Sequence, residues 1–195
     1  IEYFFLLLLF YLFRLLNIRI SSFLGGIIIY TYGFFSNKKK IAFENISHAL
    51  PNLNYKQKKS IIKKMWFNLG RVLGEYPNLD KIKILGNHNI KVIDHINCIE
   101  PCNKFNNCLF FSAHIGNWEV TAHPITQFGN DMWFIYRAPN NIDVDNLLRK
   151  IRSRYGVGLI RKGPEGAKKC ISLLNKKKKN LGMLIDQKMN DGIKT

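Results

Sequence analysis

Four short apolar runs in the second half of the chain constrain its fold most. They lie at residues 108–111, 132–136, 156–160 and 181–185, each bounded by Gly, Asn, Pro or charged residues. Runs of that length between turn residues read as buried strands. The stretches between them carry helical spacing. One helix starts at Asn117, stopped by Pro124 or by Gly129-Asn130. A second has Asp143 or Asp145 near its start, with Leu147, Leu148 and Ile151 inside. A third runs from Pro164-Glu165-Gly166 through Leu174. Strands alternating with helices of this length predict an α/β domain with a mostly parallel central sheet flanked by helices. In such sheets, polar residues just beyond the strand C-termini line the crevice where ligands bind. His114, Arg137 and Asp186 stand at those positions.

The first of these corners reads Leu109-Phe110-Phe111-Ser112-Ala113-His114-Ile115-Gly116-Asn117-Trp118-Glu119. Gly116 permits a sharp turn, and Asn117 is an N-cap that places Glu119 in the first helical turn. His114 and Glu119, five residues apart, would sit ~140° apart on one continuous helix, so they meet only if His114 precedes the helix and the turn folds Glu119 back. A histidine held by a carboxylate is a general base near neutral pH. The same spacing also fits an ordinary buried histidine.

This base has no nucleophile on the chain to serve. There is no Gly-x-Ser-x-Gly elbow to present a serine to this histidine. A Walker loop and a Gly-x-Gly-x-x-Gly motif are both absent from the sequence, which argues against a nucleotide enzyme. A substrate hydroxyl is then the natural nucleophile.

The N-terminal part has a different texture. Residues 3–16 are apolar apart from Arg14, and residues 20–35 are apolar around Gly25-Gly26 and Gly33. Neither run reaches the ~20 residues that cross a bilayer. Together they read as one tilted span, as a hairpin in one leaflet, or as a buried helical pair. No small-residue cleavage pattern follows, which argues against a signal peptide. Lys38-Lys39-Lys40 assigns this end to the cytoplasm by the positive-inside rule. Residues 1–36 are read as a membrane-anchoring segment and 37–195 as the catalytic domain. The chain starts at Ile1 and stops at Thr195 just after a predicted strand, so that domain is expected to be incomplete at its C-terminus.

Beyond the anchor, residues 41–50 are amphipathic and end at Pro51-Asn52. Asn54 and Gln57 form a capping box for a helix reaching about Leu73. Its apolar stripe is read as Ile61, Ile62, Met65, Trp66 and Leu69, with its lysines on a solvated face. Residues 79–100 alternate around Gly86-Asn87, as in a short hairpin or a strand before a helix. His88 and His95 are read as surface histidines.

The formal net charge is +17, from 30 Lys and Arg against 13 Asp and Glu. Such an excess favours polyanions, although Ile, Asn and Lys from A/T-rich codons offer a second source for it. The basic residues lack the interleaved aromatics of a single-strand groove, which leaves a nucleic-acid-binding module as a remote alternative. Cys98, Cys102 and Cys108 with His95 lack the paired spacing of a structural zinc site, so no metal is assigned. Reduced thiols suit a cytoplasmic domain.

The stretch Ser112-Ala113-His114-Ile115-Gly116-Asn117-Trp118-Glu119 closely resembles the active-site block of the lipid A biosynthesis (lauroyl or myristoyl) acyltransferases of the lysophospholipid acyltransferase superfamily. Asn45-Ile46 with Ala49-Leu50-Pro51, residues 66–71 and Glu75-Tyr76 resemble that family's lead-in. Tyr136-Arg137-Ala138-Pro139-Asn140, Arg152 to Gly156 and Asp186-Gln187 resemble its later blocks. Pro164-Glu165-Gly166 superficially resembles a glycerolipid-acyltransferase block, but no Thr-Arg follows and it reads as a helix start.

The resemblance implies transfer of a fatty acyl chain, without a cofactor, from a thioester on acyl carrier protein to a hydroxyl of a lipid A precursor. The enzyme would sit at the bacterial inner membrane with its catalytic domain on the cytoplasmic side. His114 would be the base and Glu119 its orienting partner. Arg152, with Arg149 as a one-turn alternative, would be the functional arginine and Asp186 its acidic partner. Asn117 and Arg137 complete the expected substrate-binding set. A glycerophospholipid or another glycolipid is the alternative acceptor.

Overall fold

A computed structural model describes residues 2–84, 91–93, 95–105, 107–176 and 179–187. The chain forms two compact units, Ile1–Asn78 and Leu79–Thr195.

The first unit is helical: α1 (Glu2–Leu15), α2 (Ile18–Phe35), α3 (Lys38–Ala49) and α4 (Tyr55–Glu75). Asn17 separates the two apolar runs into two helices rather than one span, because its side chain caps α2 by accepting the Arg19 N–H at 2.9 Å. Arg14, the charge inside the first run, donates to the Pro77 carbonyl at 2.7 Å. Only α2, among the described residues, is long and apolar enough to cross a membrane. The capping box at α4 forms in both directions, Asn54 with Gln57.

The predicted stripe of α4 needs correction. Ile62 and Val72 are buried together with Gly70 and Gly74, whereas Ile61 and Met65 are about 40% exposed. Ile62, Trp66, Gly70 and Gly74 recur at i+4 and share a face; Ile61 and Met65 sit ~100° away from it. Small residues set the choice of face. Gly74 lies against Ser21 and Ser22, Gly70 against Gly25 and Trp66 against Gly33, so α4 runs antiparallel along α2 with the backbones close enough that no Cβ fits between. Small residues four apart on both helices permit such an approach.

The second unit is the α/β domain. It contains α5 (His95–Phe105), β1 (Leu109–Ser112), α6 (His123–Gln127), β2 (Met132–Tyr136), α7 (Ile142–Ser153), β3 (Val157–Arg161), α8 (Pro164–Asn175) and β4 (Asn180–Leu184). All pairings in its four-stranded sheet are parallel, in the order β1-β4-β2-β3. The sheet class and strand positions follow the sequence reading to within a residue. One core cluster packs Ile99, Ile125, Met132, Val157 and Leu159; another packs Ile160, Leu173 and Leu181 under Trp133 and Ile135.

Two local expectations change. The helix from Asn117 is instead a 3-10 turn, Trp118–Ala122, followed by the short α6. Pro124 starts α6 rather than stopping it, since a first-turn proline loses no helical hydrogen bond. The chain turns only at Gly129, with φ 86°. Ile82 and Ile84 are buried without forming a strand, and α5 follows. The Gly86-Asn87 turn, Ile90 and His88 lie outside the described residues, as do the side chains of His95 and Cys98.

Placing a branched side chain in the helix contact tests its tightness. Gly25→Val is expected to lower stability by about 2–3 kcal/mol, as overpacked sites do. The exposed Ile28→Val on the same helix should change it by less than about 0.5 kcal/mol, read by thermal unfolding.

Candidate active site

The register of β1 against β4 builds the first half of the site. Ser112 stands opposite Leu184, and the Ile185 N–H donates to the Ser112 carbonyl at 3.0 Å. Two residues further along each strand, His114 and Asp186 therefore face each other at the C-terminal edge of the sheet. Asp186 grips both ends of the histidine: Oδ2 accepts the His114 backbone N–H at 2.9 Å, and Oδ1 lies 2.8 Å from Nδ1. Gly116, with φ 59°, then turns the chain away. A non-glycine residue there would be strained.

A carboxylate on Nδ1 holds the proton on that nitrogen and leaves the Nε2 lone pair outward. The Gln187 amide nitrogen lies 3.4 Å from Nε2, and Trp118 sets its ring edge-on to the imidazole at 5.0 Å. The backbone N–H and ring of His114 hold the Asp186 carboxyl below the usual carboxylate range. The side chains of His114 and Asp186 are 28% and 37% exposed, so the pair is open to solvent at the sheet edge.

Glu119 occupies a different setting. It is buried, and the Asn117 side chain caps its N–H at 3.2 Å. Arg152 donates to it through two parallel bonds, Nε to Oε2 at 2.9 Å and a terminal nitrogen to Oε1 at 2.5 Å. The Tyr155 hydroxyl adds a third bond at 3.1 Å. The expected pairing is thus exchanged: His114 takes Asp186, and Arg152 takes Glu119. Sheet register aligns the first pair. The tight 3-10 turn after Asn117 directs Glu119 inward to the last turn of α7.

Beneath Arg152 lies a further layer. Its guanidinium sits 5.9 Å from the Tyr136 ring centroid, and the Tyr136 hydroxyl donates to Asp145 at 2.9 Å. Asp145 and Arg152, seven residues apart on α7, share a helix face and straddle that ring. Arg161, at the end of β3, pairs with Asp145. Burial alone would raise the Asp145 carboxyl, but hydrogen bonds from Arg161 and Tyr136 outweigh it and hold the group below its usual range.

His123 is fully buried, stacked on Tyr155 at 4.8 Å, with Nε2 2.8 Å from the Leu79 carbonyl. Burial pushes its pKa down despite the carbonyls of Leu79 and Glu119, so the ring is neutral at pH 7. Arg137 is exposed and makes no ion pair among the described residues. No group of three or more His, Cys, Asp or Glu is placed among them to hold a metal ion.

Sequence reasoning passed over Arg161, although it satisfies the same strand-end rule as His114. Tyr155 and His123 carried no comparable signal, because their roles arise only when α6 and α7 pack together.

Residues 1–194 match the sequence model of the family described as bacterial lipid A biosynthesis acyltransferase. No curated protein matches the chain.

The buried carboxylate under the site has a measurable signature. Removing its charge with Asp145→Asn is expected to cost about 2–3 kcal/mol at pH 7, since Arg161 and Tyr136 lose an ionised partner. Its folded pKa is depressed, so its contribution is full above the unfolded value near ~3.9 and is lost as pH falls through the folded one. Urea unfolding at pH 7 and pH 3 should show the gap between wild type and variant shrinking at the lower pH.

Proposed function

The chain belongs to the bacterial lipid A biosynthesis acyltransferase family, and from that premise we propose a specific chemistry for it. It moves a fatty acyl chain from the thioester of acyl carrier protein to a hydroxyl of a lipid A precursor, at the cytoplasmic face of the bacterial inner membrane. Residues 1–36 attach it there, and the remainder carries the catalysis. The carrying observation is the outward Nε2 of His114, whose other nitrogen is held by Asp186 at 2.8 Å.

In this mechanism His114 Nε2 takes the proton of the acceptor hydroxyl as its oxygen attacks the thioester carbonyl. The tetrahedral oxyanion then collapses with loss of the carrier thiolate. That thiolate recovers the proton from the imidazolium, leaving an ester and a free thiol. Asp186 orients the ring and stabilises its transient positive charge. Glu119 acts through Arg152, fixing the arginine beside the turn that follows the base. Arg137, exposed at the end of β2 on the same sheet edge, meets the anionic phosphosugar headgroup. Asn117 holds the entry to the turn.

The assay is transfer from acyl carrier protein to a lipid A precursor, read by acceptor-resolved mass spectrometry. His114→Ala is expected to lower kcat about 10²–10⁴-fold, the usual contribution of a general base. Asp186→Asn is expected to lower kcat by about 10²-fold or more with little effect on KM, because the ring loses its fixed tautomer. Undiminished transfer by His114→Ala would sink the mechanism. A chain gained by a glycerophospholipid instead would replace the acceptor.

A further inference from the structure

The helical unit carries a groove that the chemistry above does not use. It lies between α2 and α4, has a volume of about 540 Å³, and is lined by Ile27, Tyr30, Lys63, Lys64, Phe67 and Arg71 among others. Lys63, Phe67 and Arg71 follow one another at i, i+4 and i+8, so α4 presents a stripe of cation, aromatic ring and cation. Ile27 and Tyr30 supply an apolar wall from α2. No acidic side chain lines the groove. Glu75, the one acidic residue of α4, accepts the Ser22 hydroxyl at 2.6 Å. That hydroxyl in turn takes Arg71 Nε at 3.1 Å, which anchors the guanidinium at the groove. Lys63 and Lys64 are exposed and make no ion pair among the described residues.

We propose that this groove binds one anionic phospholipid of the bilayer. Lys63, Lys64 and Arg71 hold its phosphate, while the upper part of an acyl chain lies on Ile27, Tyr30 and Phe67. A site for soluble phosphate would not need the apolar wall. Here the wall is continuous with an apolar surface of α2 on which Phe23, Ile28 and Tyr32 are all exposed. The volume is in the range of sites that take a small polar ligand with part of its apolar tail. Basic side chains above an apolar face are the usual means of holding an acidic leaflet. The proposal rests on the membrane attachment of residues 1–36, and its test separates the two.

The full chain is sedimented with vesicles of phosphatidylcholine alone and with equal parts phosphatidylcholine and phosphatidylglycerol. Wild type is expected to bind the mixed vesicles about tenfold more tightly or better. Lys63→Gln combined with Lys64→Gln should remove most of that preference. Lys56→Gln combined with Lys59→Gln, equal in charge and on the same helix but outside the groove, should change it less than about threefold. Excess glycerol phosphate should leave the partition unchanged. Equal losses in the two variants would mean diffuse attraction and would overturn the groove. So would displacement by glycerol phosphate, which would make the ligand a soluble phosphate. Equal binding to both vesicle types overturns the groove and leaves membrane attachment standing, whereas no binding to either removes both.

Discussion

The pairing of β1 with β4 is the interaction on which the rest of the α/β unit depends. β4 is the last strand among the described residues, yet it inserts between β1 and β2. That insertion brings residues 72 positions apart into one hydrogen-bonded dyad. Register decides the outcome, because a slip of one residue turns every side chain on a strand to the opposite face. With Ser112 opposite Leu184, the extension of the ladder places an imidazole against a carboxylate. Burial helps to lock that register: Asn180, at the start of β4, is buried and accepts the Cys108 N–H at 2.9 Å. Asn180 also donates to the Asp131 carbonyl at 3.0 Å, so one amide side chain ties β1, β4 and the entry to β2 together. The dyad at one end of the strands is thus positioned partly by a polar clamp at the other.

The second pair of charges has a different physical character. Glu119 and Arg152 have side-chain exposures of 7% and 17%, and their bidentate geometry offsets a desolvation cost that an exposed pair never meets. Such a pair contributes little net stability, but breaking it leaves an uncompensated buried charge. Its value here is positional. Glu119 lies within the 3-10 turn that begins just beyond His114, and Arg152 belongs to α7, so their bonding fixes the turn against the helix. Tyr136, Asp145 and Arg161 continue that bracing into β2 and β3. The dyad is thus left open to solvent while the buried pair holds the turn that follows it.

Strands, helix ends and the parallel class were legible because each rests on local chemistry, in short apolar runs and on recognisable caps such as Asn54 with Gln57. The presence of His114 and Asp186 in one unit was legible from their strand-end positions, that of Glu119 from its spacing after the turn, and that of Arg152 only from the family resemblance. Their pairing was not. Spacing along the chain suggested that Glu119 folds back onto His114, but partner choice depends on strand order, and no local signal says that β4 lies beside β1. The same limit explains α4. Apolar periodicity pointed to Ile61 and Met65, whereas the contact face is chosen by Gly70 and Gly74, residues whose contribution is the absence of a side chain. Hydrophobic pattern measures what can be buried and is silent on how closely two backbones can approach.

That close approach also bears on the proposed membrane attachment. Only 28% of α2 is buried, which is low for the core helix of a soluble domain, and its exposed residues are large and apolar. Yet α4 runs along it for several turns and carries Lys56, Lys59, Lys63 and Lys64 on its exposed surface. Crossing the hydrocarbon as a pair would immerse those ammonium groups at a cost of about 2.5–3.5 kcal/mol each near the centre, more than the apolar face of α2 readily offsets. Separating the helices to let α2 cross alone would expose the Ser22, Arg71 and Glu75 hydrogen bonds and forfeit the glycine contacts. Lying in the interface satisfies both faces at once, with α2 toward the acyl chains and the lysines of α4 among the headgroups. For the membrane attachment proposed above, the glycines that bring the two backbones together therefore favour resting in one leaflet over spanning.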